Sequence, residues 1–600
     1  MKTHDPFRME ISRHIWETRY RFASEPDIRA SWQRVAQAVA QAEVGARALW
    51  ADRFYTLLDD FRFLPGGRIL AGAGSGHRVT LFNCFVMGEI ADDIEDIFEA
   101  LKEGALTMQH GGGVGYDFST LRPAGTIAQA TGTIASGPVS FMHIWDAMCA
   151  TVLSTGARRG AMMATLRCDH PDIESFVDAK RDSAVLRHFN LSVQISDAFI
   201  AAVDADADWP LVFPLRDGEP ADGAVVRRHW TGSTGDVPCR VVRTVRARVL
   251  WQRILRAAYD TAEPGVLFVD TINRDNTLAG HETLTTTNPC GEIPLPAYGA
   301  CDLGSLNLTA FVSAPFASDA RLDLAALADA AALAVRFLDD VIDVSRYPLP
   351  AQAREARFKR RIGLGITGLA DALVLLGLDY DSEAARQLAE HAMRTVRDAA
   401  YRASIDLARE KGGFPALERG AFLASGFAAR LPSEIREGIA RDGIRNSHLL
   451  AIAPAGTISL LANNLSSGIE PIFAAEASRR ILQPDGTYRT HAVADYACLL
   501  WRASGGVGQP PALVEAQQLD PVAHLAMQAA LQPAVDNAIS KTINVAADIA
   551  FARFEALYRQ AHALGLKGCT VFRPNPVTGA ILAEPESERV HCCGIEREAD

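Results

Sequence analysis

The chain has 600 residues, of which 48% are hydrophobic and 22% are charged, and its formal net charge is −12. This is the composition of a globular protein with a large core, and the acidic balance argues against a nucleic-acid partner, which would favour a basic face. No run of about 18 apolar residues predicts a membrane span, and the N-terminus lacks the basic-then-apolar order of a signal peptide. We therefore expect a cytoplasmic protein with no membrane partner.

An apolar stripe at helical spacing predicts that residues 1–62 form a helical N-terminal region. The stripe consists of Ile28, Trp32, Val35, Val39, Ala42, Ala46 and Leu49. Pro26 stands just ahead of the stripe, where the start of a helix tolerates proline. From Phe63 the chain becomes turn-rich and leads into a strand-like run from Val79 to Met87.

Helices and strands then alternate as far as Pro574, a pattern that favours an α/β architecture with much parallel pairing. Alternation by itself does not distinguish a closed barrel from an open sheet. The predicted helices are Asp92–His110, Asp323–Asp343 and one that begins at Leu369; the predicted strands are Tyr116–Phe118, Ile362–Ile366, Leu449–Pro454 and Gly568–Phe572. Gly111–Gly115 is predicted to be a loop, and residues 575–600 a polar, flexible tail.

The segment Asn288-Pro-Cys290-Gly-Glu292 is the first candidate for chemistry. In an extended segment its amide, thiol and carboxylate side chains would point the same way. A thiol beside a carboxylate is a poor ionic nucleophile, because the negative charge disfavours the thiolate, but a thiol that donates a hydrogen atom need not ionise. The alternative is a short loop with a buried cysteine and a solvated glutamate.

Two other cysteines stand in distinctive surroundings, Cys301-Asp-Leu-Gly-Ser-Leu-Asn-Leu and Asn83-Cys84-Phe85. The alternative for each is a core cysteine, and nothing in the residues themselves shows that the two thiols meet. The ten cysteines include no pair of CxxC motifs at zinc spacing, so we predict neither a zinc ribbon nor another metal site. The turn Pro454–Ser459 offers backbone N–H groups and hydroxyls to an anion, or is simply a capped helix start.

These motifs resemble, almost from end to end, the large subunits of ribonucleotide reductases, and above all the adenosylcobalamin-dependent class. The resemblance rests on Asn288–Glu292 and Cys301–Leu308, and on a series of further motifs in the same order along the chain. Those motifs are Gly111–Pro123, Ser136–Phe141, Arg158–Met163, His170–Phe176, Asn190–Val193, Arg361–Leu369, Ala453–Ser459, Ser467–Pro471, Ser540–Asn544 and Lys567–Val571.

The resemblance implies a ten-stranded α/β barrel over residues 63–574, with a finger loop threading its centre. It also implies roles for the residues. Cys290 would carry the transient thiyl radical that takes the 3′ hydrogen of the ribose, and Glu292 would accept the 3′-hydroxyl proton as a general base. Asn288 would orient the substrate, while Cys84 and Cys301 would form the dithiol that reduces the 2′ position. Since that dithiol closes to a disulfide, the segments carrying Cys84 and Cys301 must be neighbours.

The resemblance further implies the binding sites. The substrate phosphates would lie on a turn whose members are Pro454, Ala455, Gly456, Thr457, Ile458 and Ser459, with Asn83 as a second contact. The family often has threonine where this chain has Ala455, which removes one hydroxyl. A deoxynucleotide effector would bind near a homodimer interface through Asp92, Arg122 and Lys180, and the loop Lys180–His188 would relay its identity.

The tail pair Cys592 and Cys593 would pass electrons from a thioredoxin-like reductant by thiol–disulfide exchange. Adjacent Cα atoms lie about 3.8 Å apart, below the usual disulfide range of about 4.4–6.8 Å, so a bridge between these two would be strained. We expect no activity-regulating cone ahead of the barrel, because Cys84 stands too near the N-terminus.

The radical source distinguishes the remaining hypotheses. A two-subunit, metal-dependent enzyme would need a pair of tyrosines near the C-terminus, where Tyr558 stands alone, and a glycyl-radical enzyme would need a loop that Val571–Pro574 does not supply. Both absences favour adenosylcobalamin. The rivals are a large subunit that needs a separate radical-generating partner and a nucleotide-binding relative without catalysis. The intact set of five site residues argues against the non-catalytic relative. Diphosphate and triphosphate substrates both stay open, and the resemblance favours diphosphates.

Overall fold

The computed structural model describes residues 5–127, 132, 134–154, 158–182, 185–216, 219, 222–233, 235–482 and 488–574. Its N-terminal part is helical, as predicted: α1 is Glu10–Ile15, which continues as a π-helix over Trp16–Tyr20, α2 is Ile28–Val39 and α3 is Arg47–Leu58.

The predicted apolar stripe is right over α2 and wrong beyond it. Ile28, Trp32, Val35 and Val39 are all buried. The helix then ends, because the chain passes through a 3₁₀ turn and Ala46 takes a left-handed conformation with φ of 51°. Leu49, at the start of α3, is consequently 50% exposed.

The strands follow in chain order. They are β1 Phe63–Pro65, β2 Cys84–Val86, β3 Gly113–Asp117, β4 Leu153–Ser154, β5 Arg158–Arg159, β6 Met162–Arg167, β7 Phe189–Ile195, β8 Asp208–Pro214, β9 Val225–His229, β10 Asp236–Arg246, β11 Gly265–Phe268, β12 Thr286–Thr287, β13 Pro294–Leu295, β14 Ala300–Asn307, β15 Val312–Ser313, β16 Arg321–Leu322, β17 Ile362–Thr367, β18 Glu476–Leu482, β19 Tyr488–Ala494, β20 Thr542–Asn544 and β21 Gly568–Phe572. The predicted strand from Val79 to Met87 is thus reduced to its last part, whereas β17 and β21 confirm their predictions.

The remaining helices alternate with these strands. They are α4 Gly67–Gly72, α5 Ile94–Gln109, α6 Pro138–Thr151, α7 Ile173–Asp178, α8 Asp197–Asp204, α9 Ala247–Thr261, α10 Val269–Asp275, α11 Leu324–Val344, α12 Pro350–Lys359, α13 Leu369–Leu375, α14 Glu383–Lys411, α15 Arg419–Ala424, α16 Ser433–Asp442, α17 Gly456–Leu461, α18 Tyr496–Ala503, α19 Pro521–Leu531 and α20 Phe551–Ala563. The predicted helices correspond to α5, α11 and α13. Among the described residues, no helix is both long and apolar enough to cross a bilayer.

A ten-stranded sheet organises the molecule and consists of two parallel halves and of β1, which pairs antiparallel with β14. In one half β2, β3, β6, β7 and β11 are parallel neighbours. In the other, β14 is parallel to β17 and β20 to β21. The halves meet in antiparallel fashion, β2 against β14 and β11 against β21.

Among the described residues, isolated bridges link β17 to the segment just ahead of β20, and here one predicted strand is wrong. Leu449–Pro454 forms no ladder; Leu450 bridges Leu364 of β17, and Ile452 bridges Ile539, just ahead of β20. The N–H groups of Ala451 and Ile452 still donate to the backbone carbonyls of Leu364 and Ala538. The two preceding amides do not, because the carboxylate of Asp536 accepts the N–H groups of Leu449 and Leu450, each at 2.8 Å. A side chain thus takes the place of a neighbouring strand.

The predicted loop Gly111–Gly115 is also wrong in its second half, because β3 begins at Gly113. This strand is flanked by β2 and β6 and is fully buried. Its glycines reflect packing rather than a turn. A Cβ atom on Gly115 would lie 1.9 Å from the carbonyl oxygen of Thr287, so only glycine lets the segment carrying Thr287 approach the strand so closely.

Candidate active site

A short hairpin inside the sheet carries the central candidate residues. Its arms are β12 and β13, which pair Thr287 with Pro294. The hydroxyl of Thr286 donates to the carbonyl of Tyr116 on β3 at 3.4 Å, and Thr165 of β6 donates to the carbonyl of Thr285, also at 3.4 Å. The hairpin therefore lies directly against the inner face of the first half-sheet.

The loop between the two arms is a tight turn and not the extended segment considered above. The N–H of Gly291 donates to the carbonyl of Asn288 at 3.1 Å, and Gly291 has a φ of 84°, a value that suits glycine. Asn288 and Glu292 therefore meet across the turn. Cys290 lies at its tip and is only partly buried, whereas Asn288 and Glu292 are each 1% exposed.

Asn288 organises the base of the turn through four hydrogen bonds. Its Nδ2 donates to Oε1 of Glu292 at 2.9 Å and to Sγ of Cys84 at 3.1 Å. Its Oδ1 accepts from the N–H of Ile293 at 3.0 Å and from the hydroxyl of Thr287 at 3.1 Å. The thiol of Cys84 lies 3.8 Å from Oε1 of Glu292. An amide, a carboxyl group and a thiol from distant parts of the chain are thus in direct contact.

Cys84 and Cys301 are paired residues of the antiparallel strands β2 and β14. Directly opposite residues of such strands have Cα atoms about 4.5–5.5 Å apart, which is within the range of disulfides. Neither forms a disulfide in this structure. Both lie in a small apolar cluster with Val86, Ile293 and Leu303. Burial, reinforced for Cys84 by the neighbouring Glu292, raises the pKa of each thiol well above its usual value, so both are neutral thiols.

Glu292 has the electrostatics of a titratable base. Burial raises the pKa of its carboxyl group to about 7, against the opposing effect of the hydrogen bonds from Asn288 and Cys84. Its second oxygen, Oε2, is buried and has no hydrogen-bond partner within the described part of the chain. A buried oxygen without a partner is costly, so this atom is placed to receive a donor from a ligand.

The turn predicted to hold phosphate lies at the start of α17. Its N-cap is Ala455, and no side chain caps the helix. A capped helix start, the alternative interpretation, is therefore not what is observed. The N–H of Ala455 instead donates to the hydroxyl of Ser467 at 2.7 Å. Two further predicted contacts, Ser459 Oγ and Asn83 Oδ1, are buried and lack a hydrogen-bond partner among the described residues.

Comparison with known proteins agrees with this geometry. The family model described as the ribonucleotide reductase barrel domain matches residues 82–498 and 509–572, and the model described as the ribonucleotide reductase all-alpha domain matches residues 7–78. The chain belongs to the ribonucleotide reductase family.

Three relatives in this family are named as ribonucleoside-diphosphate reductases or as a subunit of one. The vitamin B12-dependent ribonucleoside-diphosphate reductase of Mycobacterium tuberculosis H37Rv is 40% identical over 573 residues, which are 92% of this chain and 74% of the relative. The enzyme of the same name from Thermoplasma acidophilum is 35% identical over 558 residues, 90% of this chain and 67% of the relative. The ribonucleoside-diphosphate reductase subunit alpha of Chlamydia pneumoniae is more distant, at 27% over 478 residues, 74% of this chain and 45% of the relative.

The residues predicted to bind an effector in this reductase fall into two places. The Nε–H of Arg122 is shared between the two carboxylate oxygens of Asp92, at 2.9 and 3.0 Å, and Arg216 also pairs with Asp92. Lys180 is 6% exposed, and its ammonium group donates to Glu263 at 2.8 Å. The structure brings Asp92 and Arg122 together but gives Lys180 a buried partner of its own, so an effector contact by any of the three stays a prediction.

The tail cysteines Cys592 and Cys593 lie outside the described residues. Within the described residues, no group of three or more histidine, cysteine or acidic side chains could hold a metal ion. Sequence reasoning missed two residues that contact the site. Ser467 accepts the N–H of Ala455 in the turn before α17, and Asn190 donates from Nδ2 to the carbonyl of Pro289 at 2.8 Å. Both stand in motifs that carried the family resemblance, which is the signal that could have singled them out.

Proposed function

We propose that this chain reduces ribonucleoside diphosphates to 2′-deoxyribonucleoside diphosphates by thiyl-radical chemistry. The observation that carries the proposal is the contact between Asn288, Glu292 and Cys84 at the base of a turn. Cys290 lies at the tip of this turn, and Cys301 lies opposite Cys84 on the neighbouring strand. Neutral thiols suit hydrogen-atom transfer and do not suit ionic nucleophilic attack.

Each site residue has its own role in the proposed reaction. The Cys290 thiyl radical takes the 3′ hydrogen of the ribose, while Glu292 accepts the 3′-hydroxyl proton and Asn288 orients the sugar. The 2′-hydroxyl leaves as water with a proton from Cys84, the thiol in contact with Glu292 and Asn288. Cys84 and Cys301 together supply two electrons and two protons and become a disulfide. Glu292 returns its proton to the 3′ oxygen and Cys290 returns the hydrogen to the 3′ carbon, so that the base and the thiyl radical are both restored.

Adenosylcobalamin is the cofactor we propose, and the residues fit it. When bound it would supply radical chemistry, and Cys290, whose side chain is partly accessible, would give up its thiol hydrogen there. Thr570 is exposed although its strand, β21, lies between β11 and β20. A Cβ on Gly265 would lie 3.1 Å from Thr570 Oγ1 and 3.2 Å from Ser192 Oγ, so these side chains share one face of the sheet, on which Ser192 is buried. Ser192 and Thr570 are the residues we expect to line the approach to Cys290.

The rival two-subunit mechanism has less support. Tyr558, the residue considered for a tyrosine relay, is fully buried in α20 against Phe554, at a ring distance of 5.4 Å, and Trp251, at 6.4 Å. The neighbouring strand, Gly568–Phe572, carries no second tyrosine. The relatives with the higher identities are also those named for vitamin B12.

The decisive experiment uses the purified chain alone. It is incubated in the dark with CDP, a small dithiol and adenosylcobalamin, and dCDP is quantified. Product that requires the cofactor supports the single-chain reaction. Absence of product with all four diphosphates and triphosphates, with deoxynucleotide effectors present, would refute it and favour a missing radical-generating partner or a non-catalytic relative.

The cross-strand thiols give a second expectation. After turnover without added reductant, peptide mapping under non-reducing conditions should show a disulfide between Cys84 and Cys301, because β2 and β14 hold them opposite each other. The Cys301→Ser variant should give neither this disulfide nor sustained turnover. A disulfide from Cys84 to any other cysteine of the described chain would contradict the assignment.

The carboxyl group of Glu292 makes the rate depend on pH. Its pKa is raised to about 7, and only the ionised form accepts a proton. We therefore expect kcat/KM to fall about tenfold per pH unit below this pKa and to level off above it. The Glu292→Gln variant should lose most activity and show no such inflection. A wild-type profile that is flat from pH 6 to about 8 would exclude Glu292 as the base.

The proposal also includes the binding partners of the protein. We expect a homodimer, deoxynucleotide effectors and a thioredoxin-like reductant acting through the tail. The dimer is supported by α5, which exposes Ile94 at 59% and Phe98 at 49%, one helical turn apart. The ion pair of Asp92 and Arg122 lies immediately ahead of this helix, which would place an effector beside the interface.

A further inference from the structure

We propose that Asn190 is a positioning residue for Cys290, and that the buried ion pair of Lys180 and Glu263 holds Asn190 in place. The proposal rests on the proposed function, since it assigns a task to Asn190 in the same reaction. None of these three side chains takes part in the chemistry described above.

Asn190 fixes the turn immediately before Cys290. It stands on the inner face of β7, and its Nδ2 donates to the carbonyl oxygen of Pro289 at 2.8 Å. That oxygen belongs to the planar peptide unit that joins Pro289 to Cys290. The Cα atom of Cys290 lies in the same plane, so the hydrogen bond to this oxygen also restricts the position from which the Cys290 side chain projects. On the far side of the turn, the N–H of Ala538 donates to the carbonyl of Glu292 at 2.9 Å, so the tip is held at both ends.

The ion pair of Lys180 and Glu263 binds backbone groups of β7 that lie beyond the end of its pairing with β11. β11 pairs with β7 only from Ser192 onward, which leaves the preceding residues of β7 without a neighbouring strand on that side. Glu263 Oε2 accepts the N–H of Leu191 at 3.2 Å, and Lys180 Nζ donates to the carbonyl of Phe189 at 2.5 Å. The backbone groups on both sides of Asn190 are therefore held by one pair of charges.

This ion pair is itself firmly placed. Lys180 Nζ lies 2.8 Å from Glu263 Oε1, and the two side chains are 6% and 7% exposed. Buried pairs of this kind contribute specific geometry more reliably than net stability. The structure thus forms a chain of contacts from Lys180 and Glu263 through Asn190 to the peptide before Cys290. A displacement of about 1 Å at a reacting atom is enough to lower a rate about 10²-fold.

The experiment compares Asn190→Ala and Asn190→Asp with the wild-type holoenzyme. Asp has the same shape as Asn but no N–H donor for Pro289. We expect kcat to fall about 10²-fold in both variants, with KM for CDP changed by less than about twofold, because the substrate contacts are untouched. Lys180→Met should lower kcat in the same direction, and the double variant with Asn190→Ala should be no worse than the poorer single variant.

A second readout does not require activity. In the protein without cofactor, the rate at which iodoacetamide alkylates Cys290, followed by mass spectrometry of its peptide, should rise in the Asn190 variants as the turn loosens. Asn464→Asp is the matched control, since Asn464 also donates from Nδ2 to a backbone carbonyl, that of Ala494 at 3.0 Å. This control should leave kcat and the alkylation rate within about twofold of the wild type.

Asn190→Asp with wild-type kcat and wild-type alkylation would overturn the proposal, because shape alone would then suffice. Equal losses in kcat and in substrate affinity would also overturn it, since they indicate general damage to the site. If the wild-type chain makes no dCDP, the proposed function fails, and the alkylation rates decide the positioning role independently.

Discussion

Replacing Cys290 with serine should abolish dCDP formation, with a loss of at least about 10⁴-fold in kcat, the order seen when a residue that takes part in the bond changes is removed. Serine is close to cysteine in size, so the turn from Asn288 to Glu292 should keep its hydrogen bonds. The O–H bond of serine is much stronger than the S–H bond, and no radical can be passed to it. Nucleotide binding, measured by equilibrium dialysis, should change by less than about threefold.

The control for this variant is Cys149→Ser. Cys149 is buried in α6 and donates from Sγ to the carbonyl of Gly160 at 3.2 Å, a bond that a serine hydroxyl can also make. Activity should persist in this variant. Residual cofactor-dependent turnover in Cys290→Ser above about one hundredth of the wild-type rate would show that another residue carries the radical.

Local patterns predicted the elements whose environment is uniform along their length. Strand β17 is buried along its whole length and helix α11 buries one continuous face, so the apolar character of the strand and the periodicity of the helix are visible in the sequence. The prediction for Leu449–Pro454 failed because its first two amides donate to Asp536, a residue that no local pattern connects with it. The glycines of β3 failed for a related reason, since they record the approach of the hairpin that carries Thr287.

The site shows the same division between local and distant information. The presence of Asn288, Cys290 and Glu292 in one motif was readable, and so was the chemistry of a neutral thiol. That Cys84 lies opposite Cys301 depends on the register of β2 against β14, which only the fold determines. The resemblance to a family anticipated that neighbourhood, whereas the residues alone left it open. Asn190 had no visible role, because its contact with Pro289 joins residues far apart in the chain.

Replacing Gly115 with alanine should remove most activity, although the side chain added is a single methyl group. Its φ lies outside the left-handed region, so alanine is compatible with the backbone of β3. The obstacle is the Thr287 carbonyl oxygen, which would lie 1.9 Å from the new Cβ. A backbone atom cannot rotate away as a side chain does. Since β3 is fixed between β2 and β6, we expect the hairpin to move by about 1 Å, with a loss of about 10²-fold or more in kcat.

Two glycine variants separate this displacement from a general effect of added volume. Gly113→Ala, on the same face of β3, would place its Cβ 3.3 Å from Cγ of Pro289, a side-chain contact that can yield, so its loss should be much smaller. Gly420→Ala meets no atom within 4 Å and should be neutral in activity.

Thermal unfolding of Gly115→Ala should show a cost of about 1–3 kcal/mol, as for other overpacked cores. Wild-type activity in Gly115→Ala would mean that the hairpin need not lie against β3 for catalysis. An activity loss that follows the order Gly115, Gly113, Gly420 would establish that the placement of this hairpin, and through it of Cys290, sets the rate.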